Sequence, residues 1–261
     1  MSEQQEVIRR LQSEGVLDSI RWAYGSAVSR VLEDYSEDAG HDAGWRGYLL
    51  FVLFRDRLDR VFSCGRYALG DGADVGAGLD LVRAELTKED ADAMPALAPD
   101  LVRPANLNGS PGWAVGELQF LLQSGSFGQL DALPWARKSP TKQQVAKKMP
   151  PATELPPALF DVEGPVTEDL VEPSGDFEPF IAAYSLEPVG PRRELVFGRS
   201  RFNAGGGEAW YWYKNLLTLP PAHGGRRADT PTPSGPDGVP DAPVRLRKGG
   251  VSVTPKAGEQ Q

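Results

Sequence analysis

Apolar residues recur at intervals of three and four along the first part of the chain. From Ile20 through Ala23, Tyr24, Ala27, Val28, Val31 and Leu32 to Tyr35 they fall on one side of a helix. A shorter polar helix over residues 3–12 precedes it, with Val7, Ile8 and Leu11 on one side, and Gly15 interrupts the two. A loop over residues 36–44 leads to a second long element, Trp45 to Phe62. Its first half is apolar all round, which predicts burial. Its second half carries Arg55 with Asp59 and Asp56 with Arg60 at four-residue spacing, the arrangement of ion pairs on a helix surface. A further short helix is expected over 79–86, and Thr87 with Asp90 forms the start of another, the carboxylate reaching back to the cap. The apolar run Trp113 to Gln123 fits a helix or a strand.

The pattern then changes. Residues 136–148 hold Arg137, Lys138, Lys142, Lys147 and Lys148 without an acid, prolines follow, and Asp161 to Asp176 is acidic. Such a stretch lacks the apolar surface to fold alone and is expected to be a flexible charged linker over 136–176. Apolar alternation returns as two strand-like runs, 177–187 and 194–201, around the turn Pro188-Val189-Gly190-Pro191. The aromatic run 209–217 is a third strand or a short helix. Two strands are marginal in water, so this unit needs a surface to dock on. After Leu219 a Pro- and Gly-rich tail with a basic cluster at Arg245, Arg247 and Lys248 is expected to be disordered. The fold class is therefore α+β: a mostly helical domain over 1–135, the linker, a small antiparallel β unit over 177–219, and a tail over 220–261.

Composition narrows the function. The 261 residues carry a formal net charge of −8, which argues against coating DNA through bulk charge. The polar N-terminal residues contain no hydrophobic signal core, and the longest apolar run is too short to cross a bilayer. A cytoplasmic protein with no membrane partner is expected. One cysteine, Cys64, and two histidines, His41 and His223, leave no disulfide and no Cys-based zinc site. His41 with Asp38 and Asp42 is one imidazole among surface acids, short of the convergent ligands that a metal requires. No phosphate-loop, dinucleotide, serine-elbow or paired-cysteine motif occurs, so no cofactor is expected and an enzymatic activity stays open.

The densest chemistry lies in residues 192–217. Arg199 and Arg201, at alternate strand positions, are expected on one face. Gly205, Gly206 and Gly207 allow backbone amides to approach an anion. Trp210 and Trp212 offer ring faces for stacking, and Lys214 adds a cation. These eight residues are the candidate binding site of an accessory or adaptor protein with a protein partner. Nucleic acid, or an enzyme's phosphate-bearing substrate, is the alternative. The competing account is a turn closed by glycines, with the aromatics in the core. Two further candidates are the basic block over 137–148, suited to phosphate contact, and Leu155-Pro156-Pro157-Ala158-Leu159-Phe160-Asp161. That stretch resembles the Leu-Phe-ended peptides by which replication and repair proteins dock on the bacterial sliding clamp, without the glutamine that leads such peptides. The resemblance implies a docking peptide; a staple onto the chain's own helical domain is the other reading.

Overall fold

A computed structural model describes residues 2–68, 75–150 and 177–220, with 75–77 described by backbone only. The linker beyond residue 150, its Leu-Phe stretch and the tail from 221 lie outside the described residues. Three helices open the chain: α1 (Glu3–Ser13), α2 (Val16–Asp34) and α3 (Ala43–Val61). Each boundary has a local cause. Ser2 and Gln5 form a reciprocal capping box at the start of α1. Gly15, at φ 77°, takes the left-handed conformation that separates α1 from α2. The Asp42 side chain accepts from the Trp45 N–H at 2.7 Å and starts α3. Two short helices follow, α4 (Val75–Arg83) and α5 (Lys88–Ala93). Thr87 caps α5 by accepting from the Asp90 N–H at 3.1 Å. The Asp90 carboxylate does not reach back to that cap; it accepts from Ser26 Oγ of α2 at 2.8 Å, which ties α5 to the helical layer.

The rest builds one six-stranded sheet, in the order β1 (Arg103–Pro104), β2 (Gly112–Val115), β3 (Leu118–Ser124), β4 (Glu178–Leu186), β5 (Arg193–Ser200) and β6 (Trp210–Asn215). The run 113–123 is thus a hairpin, turned at Gly116 with φ 58°. All neighbours are antiparallel except β3 and β4, which are parallel from Leu118–Glu178 to Ser124–Tyr184. A parallel pair needs a crossover, which lies in the chain between β3 and β4. The expected small antiparallel unit is therefore corrected. The 177–219 segment is half of a mixed sheet whose other strands come from the N-terminal part. It docks through main-chain pairing with β3, which the sequence did not announce because apolar runs bounded by Gly and Pro give no hint of which neighbour they will find.

The linker is corrected at its start as well. Residues 140–147 form α6 (Pro140–Lys147), with Thr141, Lys142, Val145 and Ala146 buried. The basic block is partly an inward-facing helix, because Val145 and Ala146 pack on the sheet.

Strand alternation divides the core. Phe120, Phe180, Ala182, Tyr184 and Phe197 face α1, α2 and α3. Leu121, Ile181, Ala183 and Val196 face the other way, under Leu130, Leu133, Trp135 and α6. The all-round burial expected of α3 is also revised: Tyr48 is 72% exposed, while Arg46, Arg57 and Arg60 are buried. Asp56 and Arg60 do pair, at 2.7 Å, but inside the protein. Asp56 also binds Arg57 at 2.6 Å and the Tyr67 hydroxyl at 2.6 Å. Arg60 caps the end of α4 through the carbonyls of Val82 at 2.8 Å and Ala84 at 2.7 Å. Arg55 and Asp59 do not pair. Arg55 lies over the Phe51 ring, and Asp59 turns in to accept from the Trp113 indole at 3.0 Å.

Candidate functional site

The eight candidate residues fall in three different environments. Arg199 is 2% exposed and bridges Glu3 of α1 and Glu178 of β4 through one nitrogen. Its Nε and Nη1 make no hydrogen bond; the guanidinium lies 4.7 Å over the Phe180 ring, whose negative face compensates part of the desolvated charge. Arg201 is exposed and pairs with Glu208 at 2.8 Å. The shared face expected of the two arginines is not formed. A register shift between Arg199 and Ser200 ends the regular alternation, so Arg199 points under α1 and Arg201 leaves the strand. Adjacent carboxylates far off in sequence, Glu3 and Glu178, gave no signal of this.

Gly205, Gly206 and Gly207 form an exposed turn, the last two at φ 89° and 94°. Its base is fixed from within. The Trp135 N–H donates to Asn203 Oδ1 at 3.0 Å, and Asn203 Nδ2 donates to the Leu133 carbonyl at 3.1 Å. Trp210 is buried, with its indole donating to the Leu130 carbonyl at 2.7 Å, and the Trp135 indole donates to the Ala209 carbonyl at 2.6 Å. The two rings meet edge to face at 5.4 Å. Trp212 is half-buried on the opposite face and donates to Glu3 at 2.5 Å. Lys214 is exposed.

What these residues share is the strand itself. β6 pairs with β5 on one side, and no described strand pairs with its other side. The Tyr213 carbonyl points outward and is met by Gln4 Nε2 at 3.3 Å; strand geometry sends the Tyr213 N–H the same way. Gly198, opposite Tyr213, has no space for a Cβ, which would run into Tyr213, so the pairing is close. Beside this edge runs an open groove of about 400 Å³, lined by Gln4, Asp131, Glu208 and residues 209–213. Tyr213 is 42% exposed in it. Gln4, Asp131 and Tyr213 were not expected. Gln4 and Asp131 come from elements distant in sequence, and only Tyr213 carried a signal, as part of the aromatic run.

The remaining candidates have structural partners. The His41 ring stacks on Trp45 at 3.7 Å and accepts from the Ser36 N–H at 3.1 Å, while Asp42 is spent on its cap. Among the described residues no group of three or more His, Cys, Asp or Glu converges as for a metal ion. Burial, reinforced by the Asp59 charge, pushes the Cys64 thiol up to about 12. A smaller cavity of about 210 Å³ opens between α2, α3 and α5 beside Arg57 and Asp90. No described helix is long and apolar enough to cross a membrane.

No protein-family model, curated protein or solved structure matches this chain.

Proposed function

We propose that the chain is a non-enzymatic adaptor that binds a protein partner by adding an extended segment of it to the outer edge of β6. The observation that carries this reading is the open edge, an outward main-chain row beside an aromatic groove, with the Tyr213 carbonyl held by a side chain and not by a strand. An exposed strand edge is a template for another strand. Proteins usually blunt such edges, and strand addition supplies affinity through main-chain hydrogen bonds while grooves read alternate side chains. Residues 192–217 thus remain the site, with a changed division of labour. Arg199, Trp210 and Trp212 hold β6 in place; the glycine turn, Arg201, Tyr213 and Lys214 flank the docking edge.

Tyr213→Pro tests it. Proline removes an outward N–H and leaves the β5 ladder intact. Partners captured from native cytosol by the wild-type chain are expected to be lost with this variant, at an unchanged circular dichroism spectrum. Undiminished capture refutes the edge. A second reading, nucleic-acid contact, draws on the exposed Arg201 and Lys214. Titration of labelled oligonucleotides at low and high salt tests it, and binding that is unchanged in Arg201→Ala removes that reading.

A further inference from the structure

Taking β6 as a docking edge, we infer that the segment it accepts is a basic one, with arginine or lysine at alternate positions facing the wall formed by Asp131, Trp210 and Tyr213. The lining of the groove carries two carboxylates, Asp131 and Glu208, and no cation. Glu208 is paired with the nearby Arg201, which among the described residues leaves Asp131 as the unpaired charge of the groove, and Lys214 shares the side of Phe197, which faces the helices. A polyanion laid along β6 meets the unpaired carboxylate of Asp131. A second copy laid there brings the same acids and the same net charge of −8 against itself. A cationic segment meets opposite charge.

The protein shows the recognition mode within itself. Arg201 lies 5.6 Å over the Tyr211 ring and 2.8 Å from Glu208, a guanidinium held between a tyrosine face and a carboxylate. Tyr213 and Asp131 offer a ring and a carboxylate of the same kinds at the neighbouring part of the groove, with no cation of the described residues between them. The length is set by β6, whose six residues span roughly 20 Å. Side chains of an added strand alternate between two walls, one with Gln4 and Trp212, the other with Asp131, Trp210 and Tyr213. Basic residues therefore belong at every second position, and uncharged ones between them.

The test uses the full chain and fluorescein-labelled probes read by anisotropy: Val-Arg-Val-Arg-Val-Arg, Val-Glu-Val-Glu-Val-Glu, the arginine peptide N-methylated on alternate amides, and oligo-deoxythymidine. The arginine peptide is expected to bind roughly threefold tighter than the glutamate peptide, the scale of one exposed ion pair, and the margin shrinks with salt. Asp131→Lys/Glu208→Lys, both surface positions, is expected to invert the order. Equal binding of the two peptides, no inversion, or tighter binding of the oligonucleotide overturns the basic partner. The methylated peptide separates the two levels: if it binds as well as its parent, strand addition itself fails, whatever the charge result. A chain that sediments as a dimer and binds none of the probes assigns the edge to a second copy and also overturns the inference.

Discussion

Lys142 sits on the buried side of α6, 6% exposed, and burial alone pushes its ammonium down to about 7. Among the described residues no carboxylate opposes the shift. Below pH 7 the lysine is charged in both folded and unfolded chains, and the fold carries the full cost of a desolvated ammonium. Above pH 7 the folded chain sheds the proton while the unfolded chain keeps it until about 10.5, so stability rises with pH across that window. The gap corresponds to about 5 kcal/mol as an upper figure, at 1.36 kcal/mol for each pH unit. Lys142→Met keeps the length of the side chain and removes the charge. Urea denaturation of both proteins at pH 6.5 and 8.5 is the assay. The variant is expected to be more stable at pH 6.5, and its advantage is expected to shrink by about 2 kcal/mol at pH 8.5. The difference between the two proteins isolates Lys142, since Lys138, whose burial also lowers it, titrates in both. A difference that stays constant with pH, or a variant less stable at pH 6.5, refutes the reasoning.

Other expectations concern groups that hold the sheet and helices together. Burial pushes the Asp56 carboxyl up, but hydrogen bonds from Tyr67 and Arg60 and the charges of Arg60 and Arg57 bring it below its ordinary value. Asp56→Asn leaves Arg57 and Arg60 buried without their shared carboxylate, and is expected to cost about 3–5 kcal/mol in denaturant titration at pH 7; because the folded carboxyl is depressed, the wild type loses this advantage as the pH falls below about 4. Gly198→Ala forces a Cβ against Tyr213 and the Trp212 carbonyl and is expected to lower the melting temperature and speed hydrogen exchange in β6, whereas Gly205→Ala, in open space, stays within about 0.5 kcal/mol of wild type. With the Cys64 thiol pushed up to about 12, iodoacetamide at pH 8 should leave the native chain unmodified and alkylate it promptly in urea, as followed by mass spectrometry.

The helices were legible because their signals are local. The period from Ile20 to Tyr35, Gly15 as a break and Thr87 as a cap all act within a few residues, and α1, α2, α3 and α5 follow them. The strands β4 and β5 were legible for the same reason. Their arrangement was not. Nothing near Leu118 announces Glu178 as its neighbour, and the separation of 60 residues between the partners hides the parallel β3–β4 pair that joins the two halves. The charges misled in a related way. The spacing of Asp56 and Arg60 showed that they could meet but not which side of α3 they would occupy, since burial of an arginine depends on carbonyls such as those of Val82 and Ala84, supplied from another element.

The same distinction explains why the candidate segment reads differently in the structure. Arginines, glycines and aromatics within 26 residues suggested a surface built by side chains. Glu3 and Glu178 draw Arg199 inward, and Leu130 holds the Trp210 indole, so the most conspicuous groups become the supports of β6. Those supports fix the strand from its inner side and from both faces. Among the described residues, they leave its outer main-chain groups to the side chain of Gln4, a hydrogen bond of 3.3 Å from the N-terminal turn of α1. A bond of that length and exposure contributes about 1 kcal/mol or less, whereas a paired strand offers several main-chain bonds at once. Among the described residues the edge is thus held from within and met outside by one side-chain bond, which is what the proposed strand addition would need. Gln4→Ala distinguishes protection from participation: it is expected to leave stability within about 1 kcal/mol and to preserve or tighten binding of an arginine-bearing strand, and a loss of binding would show that Gln4 belongs to the recognition surface itself.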